Sequence, residues 1–217
     1  MSLAAGATLS FLELADEIRE GELAPVDAAA ARWITGLRGR MDGPMAIFTE
    51  LGGFVGMLSL CGGAALLLLA VRKRKEAVFL LACGTGAVAL NTLLKLVFQR
   101  ARPDATALYQ VEALSSFSFP SGHAMSSTGV AGGLAILAWT LRRHWAWRAS
   151  TGAAALVFVA GVAASRVYFG VHYPSDVMGG CLAGAAWVAA LTGWFYPRLL
   201  PGEESAPPAH PPRVAPD

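Results

Sequence analysis

The sequence predicts an all-α fold: an integral membrane helical bundle of about five transmembrane helices, with an N-terminal interfacial or partial helix. Three observations carry that prediction. Only 15% of the 217 residues are charged and 55% are hydrophobic, whereas an ordinary soluble domain is about 25% charged. Five charge-free runs come close to or exceed the roughly 20 apolar residues that a spanning helix needs. They are Leu51–Val71 (21 residues), Ala77–Leu94 (18), Ala124–Leu141 (18), Ala149–Ser165 (17) and Val177–Pro197 (21). Helices of a soluble bundle keep a polar face, and these runs carry no charge on any face.

The elements follow in order. Residues 1–47 form an N-terminal amphipathic or partial helical segment. Met1–Leu12 is uncharged but too short to span, and Glu13, Asp16 and Glu17 follow it. It lacks the basic start of a signal peptide. Pro25 breaks the chain, and Asp27 is placed to cap a helix running to about Arg40. That helix mixes Trp33, Ile34 and Leu37 with Arg32, Arg38 and Arg40, as a helix lying in the membrane interface would. Residues 48–198 hold the five spans. Residues 199–217, with six prolines from Pro201 to Asp217, read as a disordered tail. Glycine pairs at Gly52/Gly56, Gly129/Gly133 and Gly180/Gly184 suit close helix packing in lipid. Gly84-Thr-Gly86 lies inside an apolar run with no strand before it and reads as packing too.

Composition also excludes. A net charge of +2 does not provide the field that a nucleic-acid partner needs. Cys61, Cys83 and Cys181 stand far apart in apolar runs, so neither a disulfide scaffold nor a thiolate metal site is expected. The partners implied are membrane lipids; oligomeric state has no signature.

Two short connections are basic: Arg72-Lys73-Arg74-Lys75, and the stretch holding Arg142, Arg143 and Arg148. The positive-inside rule puts both in the cytoplasm, and five spans put both on one side. The connection Gln99–Phe119, the turn Phe169–Pro174 and the N-terminal segment then face outward.

The remaining ionisable residues are not scattered. Lys95, Arg100 and Arg102 end the second run, His123 opens the third, Arg166 ends the fourth, and His172 and Asp176 begin the fifth. Charged groups at membrane depth are expensive and mark function. Lys95, Arg102 and Arg166 supply cations of the type that binds phosphate. Pro120-Ser121-Gly122-His123 opens a helix whose first amides and dipole favour an anion. A histidine can attack phosphorus, given an acceptor for its other nitrogen, and Asp176 stands four residues after His172. A second histidine, His123, can act as general acid for the leaving oxygen. A two-histidine, one-carboxylate metal site competes, but three surrounding cations oppose a divalent ion, and no metal or cofactor is expected.

These residues also fit a family pattern: K-x6-R-P from Lys95 to Pro103, P-S-G-H at Pro120–His123, and S-R-x5-H-x3-D from Ser165 to Asp176. In order and spacing the chain resembles the type 2 phosphatidic acid phosphatase (PAP2) family, which also includes vanadium-dependent haloperoxidases. The resemblance covers about Glu50–Pro197. It implies His172 as nucleophile, Asp176 as its orienting acid and His123 as the proton donor. It implies Lys95, Arg102, Ser121, Gly122 and Arg166 as phosphate ligands, with no metal. The implied substrates are lipid phosphates and diphosphates such as undecaprenyl diphosphate, phosphatidate and phosphatidylglycerophosphate. The implied setting is a bacterial cytoplasmic membrane with the site facing outward. Members commonly have six spans, and here the first is expected to be absent or reduced to Met1–Leu12. Phosphotransfer to another acceptor, haloperoxidase chemistry with vanadate and non-enzymatic lipid-phosphate transport stay open. Arg100 is expected to face lipid, Tyr168 and Tyr173 to be interfacial aromatics, and His144 and His210 to be uninvolved.

Overall fold

The computed structural model describes residues 2–103, 117–141 and 144–199. The described residues form eight helices: α1 (Ser2–Glu20), α2 (Ala24–Thr35), α3 (Asp42–Gly52), α4 (Phe54–Ala70), α5 (Arg74–Phe98), α6 (Gly122–Leu141), α7 (Trp145–Tyr168) and α8 (Pro174–Leu199). Residues 200–217 of the expected tail, His210 among them, most of the Gln99–Phe119 connection, Arg142 and Arg143 lie outside them. Helices α5, α6, α7 and α8 are long and apolar enough to cross a membrane. Helices α3 and α4 make a fifth candidate span bent by 56°. The expected run from Leu51 is therefore the second limb of a longer, broken element. The break sits at Gly53, whose backbone is extended between the two helices.

Apolar side chains point outward along these helices. Leu66, Leu67, Leu93, Val97, Leu156 and Val157 are all exposed, where a soluble bundle would carry polar groups. The chain is a multi-pass membrane protein. Its interior is held by close backbone approach, as expected where lipid gives no hydrophobic drive between helices. A Cβ on Gly129 of α6 would sit 2.7 Å from the Cys83 carbonyl oxygen of α5. One on Gly184 of α8 would sit 2.9 Å from the Met125 carbonyl oxygen of α6. A cluster of Met57, Cys61, Phe79, Cys83, Val130 and Val188 fills the middle, where α4, α5, α6 and α8 meet.

Two placements differ from the expectations. Helix α1 continues past Leu12 to Glu20 and packs lengthwise on α8. Its start, Leu3 to Ala7, lies by Ile136, Trp139 and Thr192. Its later residues Phe11 and Ala15 pack with Phe98 and Phe119 at the other end of the bundle. The N-terminal segment therefore runs from one end of the bundle to the other. The acids Glu13, Asp16 and Glu17 shorten the charge-free run, while small residues and a buried Phe11–Leu14–Ala15 face still hold the helix against its neighbours. Helix α2 ends at Thr35 and carries Pro25 in its first turn, where proline is tolerated. Asp27 is buried within α2 and does not cap it.

Candidate active site

The site sits where the C-terminal ends of α5 and α7 meet the N-terminal ends of α6 and α8. The two connections that hold basic residues, around Arg72–Lys75 and Arg148, lie at the opposite ends of the same helices. Helix α5 alone separates the two levels by 25 residues, or about 37 Å at helical rise.

Three turns bring the side chains in. Gln99 closes α5 in the left-handed region, with its N–H on the Lys95 carbonyl, and turns residues 99–103 back over the bundle. The Ser118 N–H donates to the Arg100 carbonyl at 2.7 Å, which joins that strand of chain to the one entering α6. Gly170, at φ +71°, ends α7 in a conformation that suits glycine, and the chain returns through His172 and Tyr173 to α8. Pro174 opens α8 with its fixed φ, and Asp176 falls in the first turn. The Ser121 N–H donates to the Asp176 carbonyl at 2.9 Å, tying the start of α6 to the start of α8.

Asp176 is fully buried. Its carboxylate accepts from Arg100 Nη1 at 2.7 Å, from the Tyr173 N–H at 2.8 Å and from the Ser118 hydroxyl. His172 Nδ1 lies 3.4 Å from Asp176 Oδ2 and 3.4 Å from Ser118 Oγ. Both are at the outer limit of hydrogen-bond reach, as is common before substrate binds. The other ring nitrogen, Nε2, faces Arg102 Nη1 at 3.4 Å. Arg102 also donates to the Val171 carbonyl at 2.9 Å, which fixes it beside the imidazole. Burial pushes the His172 pKa down to about 4; Asp176 opposes the shift, and the cations Arg102 and Arg166 add to it. The ring is neutral at pH 7, the form in which a nitrogen lone pair is available.

The other predicted residues surround this pair. Lys95 Nζ donates to the Phe117 carbonyl at 2.7 Å, next to Ser118. Arg166 is buried and donates to Thr49 Oγ1 of α3. Ser121 is fully buried, and its hydroxyl has no hydrogen-bond partner among the described residues. Asn91 of α5 donates to the Pro120 carbonyl at 3.0 Å, and a Cβ on Gly122 would sit 3.0 Å from Asn91 Oδ1. His123 stands in the first turn of α6, with Nε2 3.6 Å from where a Cβ on Gly53 would be. A cleft of about 350 Å³ opens beside His172, with Arg100, Tyr173 and the Asp27, Ala28 and Ala31 face of α2 in its walls. Among the described residues, no three His, Cys, Asp or Glu side chains converge as a metal ion requires.

Several expectations are corrected here. Arg100 does not face lipid. Its guanidinium joins Asp176 to Asp27 of α2, at 2.7 and 2.8 Å, and lies 4.3 Å over the Tyr173 ring. Tyr168 is a core residue, not an interfacial one; its hydroxyl donates to Asp42 and to the Leu37 carbonyl. Asp27 caps a helix other than its own: its Oδ1 accepts the Ser175 N–H of α8 at 2.8 Å. Asn91 and Thr49 carry no motif signal, and neither they nor Ser118 are found from the sequence. Ser118 alone had a weak one, since it stands two residues before the Pro120-Ser-Gly-His123 turn.

Comparison with known proteins decides the family. The family model described as the PAP2 superfamily matches residues 76–199. The chain belongs to the PAP2 superfamily. A phosphatidylglycerophosphatase B of Bacillus subtilis is 39% identical over 112 residues, covering 49% of this chain and 51% of that protein. An undecaprenyl-diphosphatase of Sulfolobus acidocaldarius is 35% identical over 133 residues, covering 59% of each. The chain thus spans half to three-fifths of the length of these two PAP2 relatives. The crystal structure of a transmembrane PAP2-type phosphatidylglycerolphosphate phosphatase from Bacillus subtilis superposes with a TM-score of 0.79 at 29% identity. That match covers 91% of this chain and 98% of the other.

Proposed function

We propose that this PAP2 protein hydrolyses a lipid phosphate or diphosphate through a phosphohistidine on His172, without a metal. The observation that carries the reading is the state of His172. It is buried and neutral, its Nδ1 is turned toward Asp176 and Ser118, its Nε2 stands beside Arg102, and its side chain borders a cleft. In the first step Nε2 attacks phosphorus and the P–O bond to the leaving group breaks. His123 donates the proton that the departing alkoxide or phosphate needs. Asp176 holds the Nδ1 proton and balances the charge that develops on the ring. In the second step water attacks the phosphohistidine, His123 takes the water proton, and orthophosphate leaves with His172 restored. Lys95, Arg102 and Arg166 bind the phosphoryl oxygens and stabilise the charge of both transition states. Ser121 and the Gly122 amide complete the cradle, and the unpartnered Ser121 hydroxyl supports that role.

The substrate class follows from the setting. The cleft lies at the end of an apolar bundle, where a phosphate meets water while its chain stays in lipid. Relatives named for phosphatidylglycerophosphate and undecaprenyl diphosphate support a lipid substrate with a terminal phosphate. We favour a polyprenyl diphosphate. The basic connections at the far end of the bundle support a site on the outer face of a bacterial cytoplasmic membrane. The test is phosphate release by the detergent-purified protein in EDTA, from undecaprenyl diphosphate, phosphatidate, phosphatidylglycerophosphate and a soluble ester. Release that survives EDTA and disappears in His172→Ala is expected. Folded protein that releases no phosphate from any of the lipids would overturn the reading.

A further inference from the structure

The mechanism above leaves one buried charged pair unused. Asp27 lies on α2, in the segment before the first bent span, and is 2% exposed. An acid at that depth is costly unless each of its oxygens is partnered, and here each is. Oδ1 accepts the Ser175 N–H at 2.8 Å, and Oδ2 accepts from Ser175 Oγ at 2.6 Å and from Arg100 Nη2 at 2.8 Å. Arg100 in turn donates through Nη1 to Asp176 Oδ1 and to Ser175 Oγ, both at 2.7 Å. One planar guanidinium therefore bridges two carboxylates, and the second of these is the partner of His172.

We infer that Asp27 is a positioning residue for the His172–Asp176 pair, acting through Arg100 and through the first turn of α8. Two physical consequences follow from the bridge. Asp27 shares the Arg100 charge, so Asp176 keeps electron density for His172 Nδ1 instead of yielding it to an unshared cation. Asp27 also ties down the turn that carries Asp176, since the Ser175 N–H and hydroxyl both end on it. A merely structural clasp between α2 and α8 would need the Ser175 bonds alone; the shared guanidinium is what links Asp27 to the reacting histidine.

This inference rests on the phosphohistidine reading and deepens it. The test uses the full chain in detergent, with dioctanoyl phosphatidate as substrate, and compares wild type with Asp27→Asn, Arg100→Gln, their double variant and His172→Ala. Asp27→Asn keeps the shape and an acceptor for Ser175 but loses the charge. The expected result is a fall in kcat of about tenfold or more, with KM within about twofold and the thermal midpoint close to that of wild type. The double variant is expected to be no worse than Arg100→Gln alone, because both act along one path. Should Asp27→Asn not fold, Arg100→Lys serves instead, since it keeps the charge but loses the fork; the same tenfold fall in kcat is expected. Wild-type kcat in Asp27→Asn or in Arg100→Lys, or losses that multiply in the double variant, would overturn the role of Asp27 alone. Turnover that His172→Ala leaves intact would overturn the histidine reading itself.

Discussion

Asp176→Asn tests the placement of the His172 proton. The carboxylate serves three donors, Arg100 Nη1, the Tyr173 N–H and the Ser118 hydroxyl, and faces His172 Nδ1 as a fourth. An asparagine has one acceptor oxygen in place of two. If that oxygen takes the Oδ2 position, the amide N–H2 is driven against the Arg100 guanidinium. If it takes the Oδ1 position, the N–H2 confronts the Tyr173 N–H and asks Nδ1 to accept a hydrogen bond. His172 then carries its proton on Nε2, the nitrogen that attacks in the proposed mechanism. The same change in a serine-protease triad costs about 10⁴-fold in kcat for that tautomeric reason. Here the longer 3.4 Å contact sets a weaker tie, and we expect a loss of about 10³-fold, or roughly 4 kcal/mol. KM should change little, because the cations proposed to bind phosphate are untouched. Single-turnover phosphate release in EDTA measures it. An Asp176→Asn variant within about threefold of wild type would refute the proposed role of the carboxylate.

Four other outcomes are expected. Ser121→Ala removes a buried hydroxyl that has no partner among the described residues, so the thermal midpoint should hold while kcat/KM falls about tenfold, the worth of one hydrogen bond to a charged ligand. Gly180→Ala puts a Cβ 2.5 Å from the Ser121 carbonyl oxygen and should cost about 1–3 kcal/mol in stability along with activity. Gly62→Ala and Gly63→Ala, which meet nothing within 4 Å, should stay within about 1 kcal/mol of wild type. His172 is held neutral, with its pKa near 4 against an ordinary 6.5. Between those values the unfolded chain binds more protons than the folded one. The stability contributed above pH 6.5 is therefore lost as pH falls toward 4, by about 3 kcal/mol in full. The thermal midpoint of wild type should drop more steeply from pH 7 to 5 than that of His172→Gln; equal slopes would contradict it.

The spans were legible because lipid imposes one demand, apolar length, and Ala77–Leu94 or Ala124–Leu141 meet it outright. The candidate site was legible as three clusters because helix ends carry their functional residues in short local strings. What was hidden is what depends on distant pairing. Arg100 was assigned to lipid because its partners lie 73 and 76 positions away, at Asp27 and Asp176, and no period links them. Asp27 looked like a cap for its own helix, and it does cap, but the recipient is α8. Helix α1 was underrated because Glu13, Asp16 and Glu17 interrupt the run that defines a span. Its hold on the bundle comes from Phe11 and Ala15 packed with Phe98, Phe119 and Ala183, beside a buried Leu14, which hydropathy alone does not reveal. The bend at Gly53 needed the neighbouring turn, since a Cβ on Gly56 would strike the Leu51 carbonyl oxygen at 2.4 Å.

The most direct test is to trap the covalent intermediate. Wild-type protein would be mixed with a lipid phosphate labelled at its terminal phosphoryl group, quenched in alkali within the first turnover, and digested. The phosphohistidine mechanism predicts an alkali-stable, acid-labile label on the peptide containing His172, absent from His172→Ala. A burst of labelled orthophosphate with no labelled protein, or a label carried by His123, would contradict it.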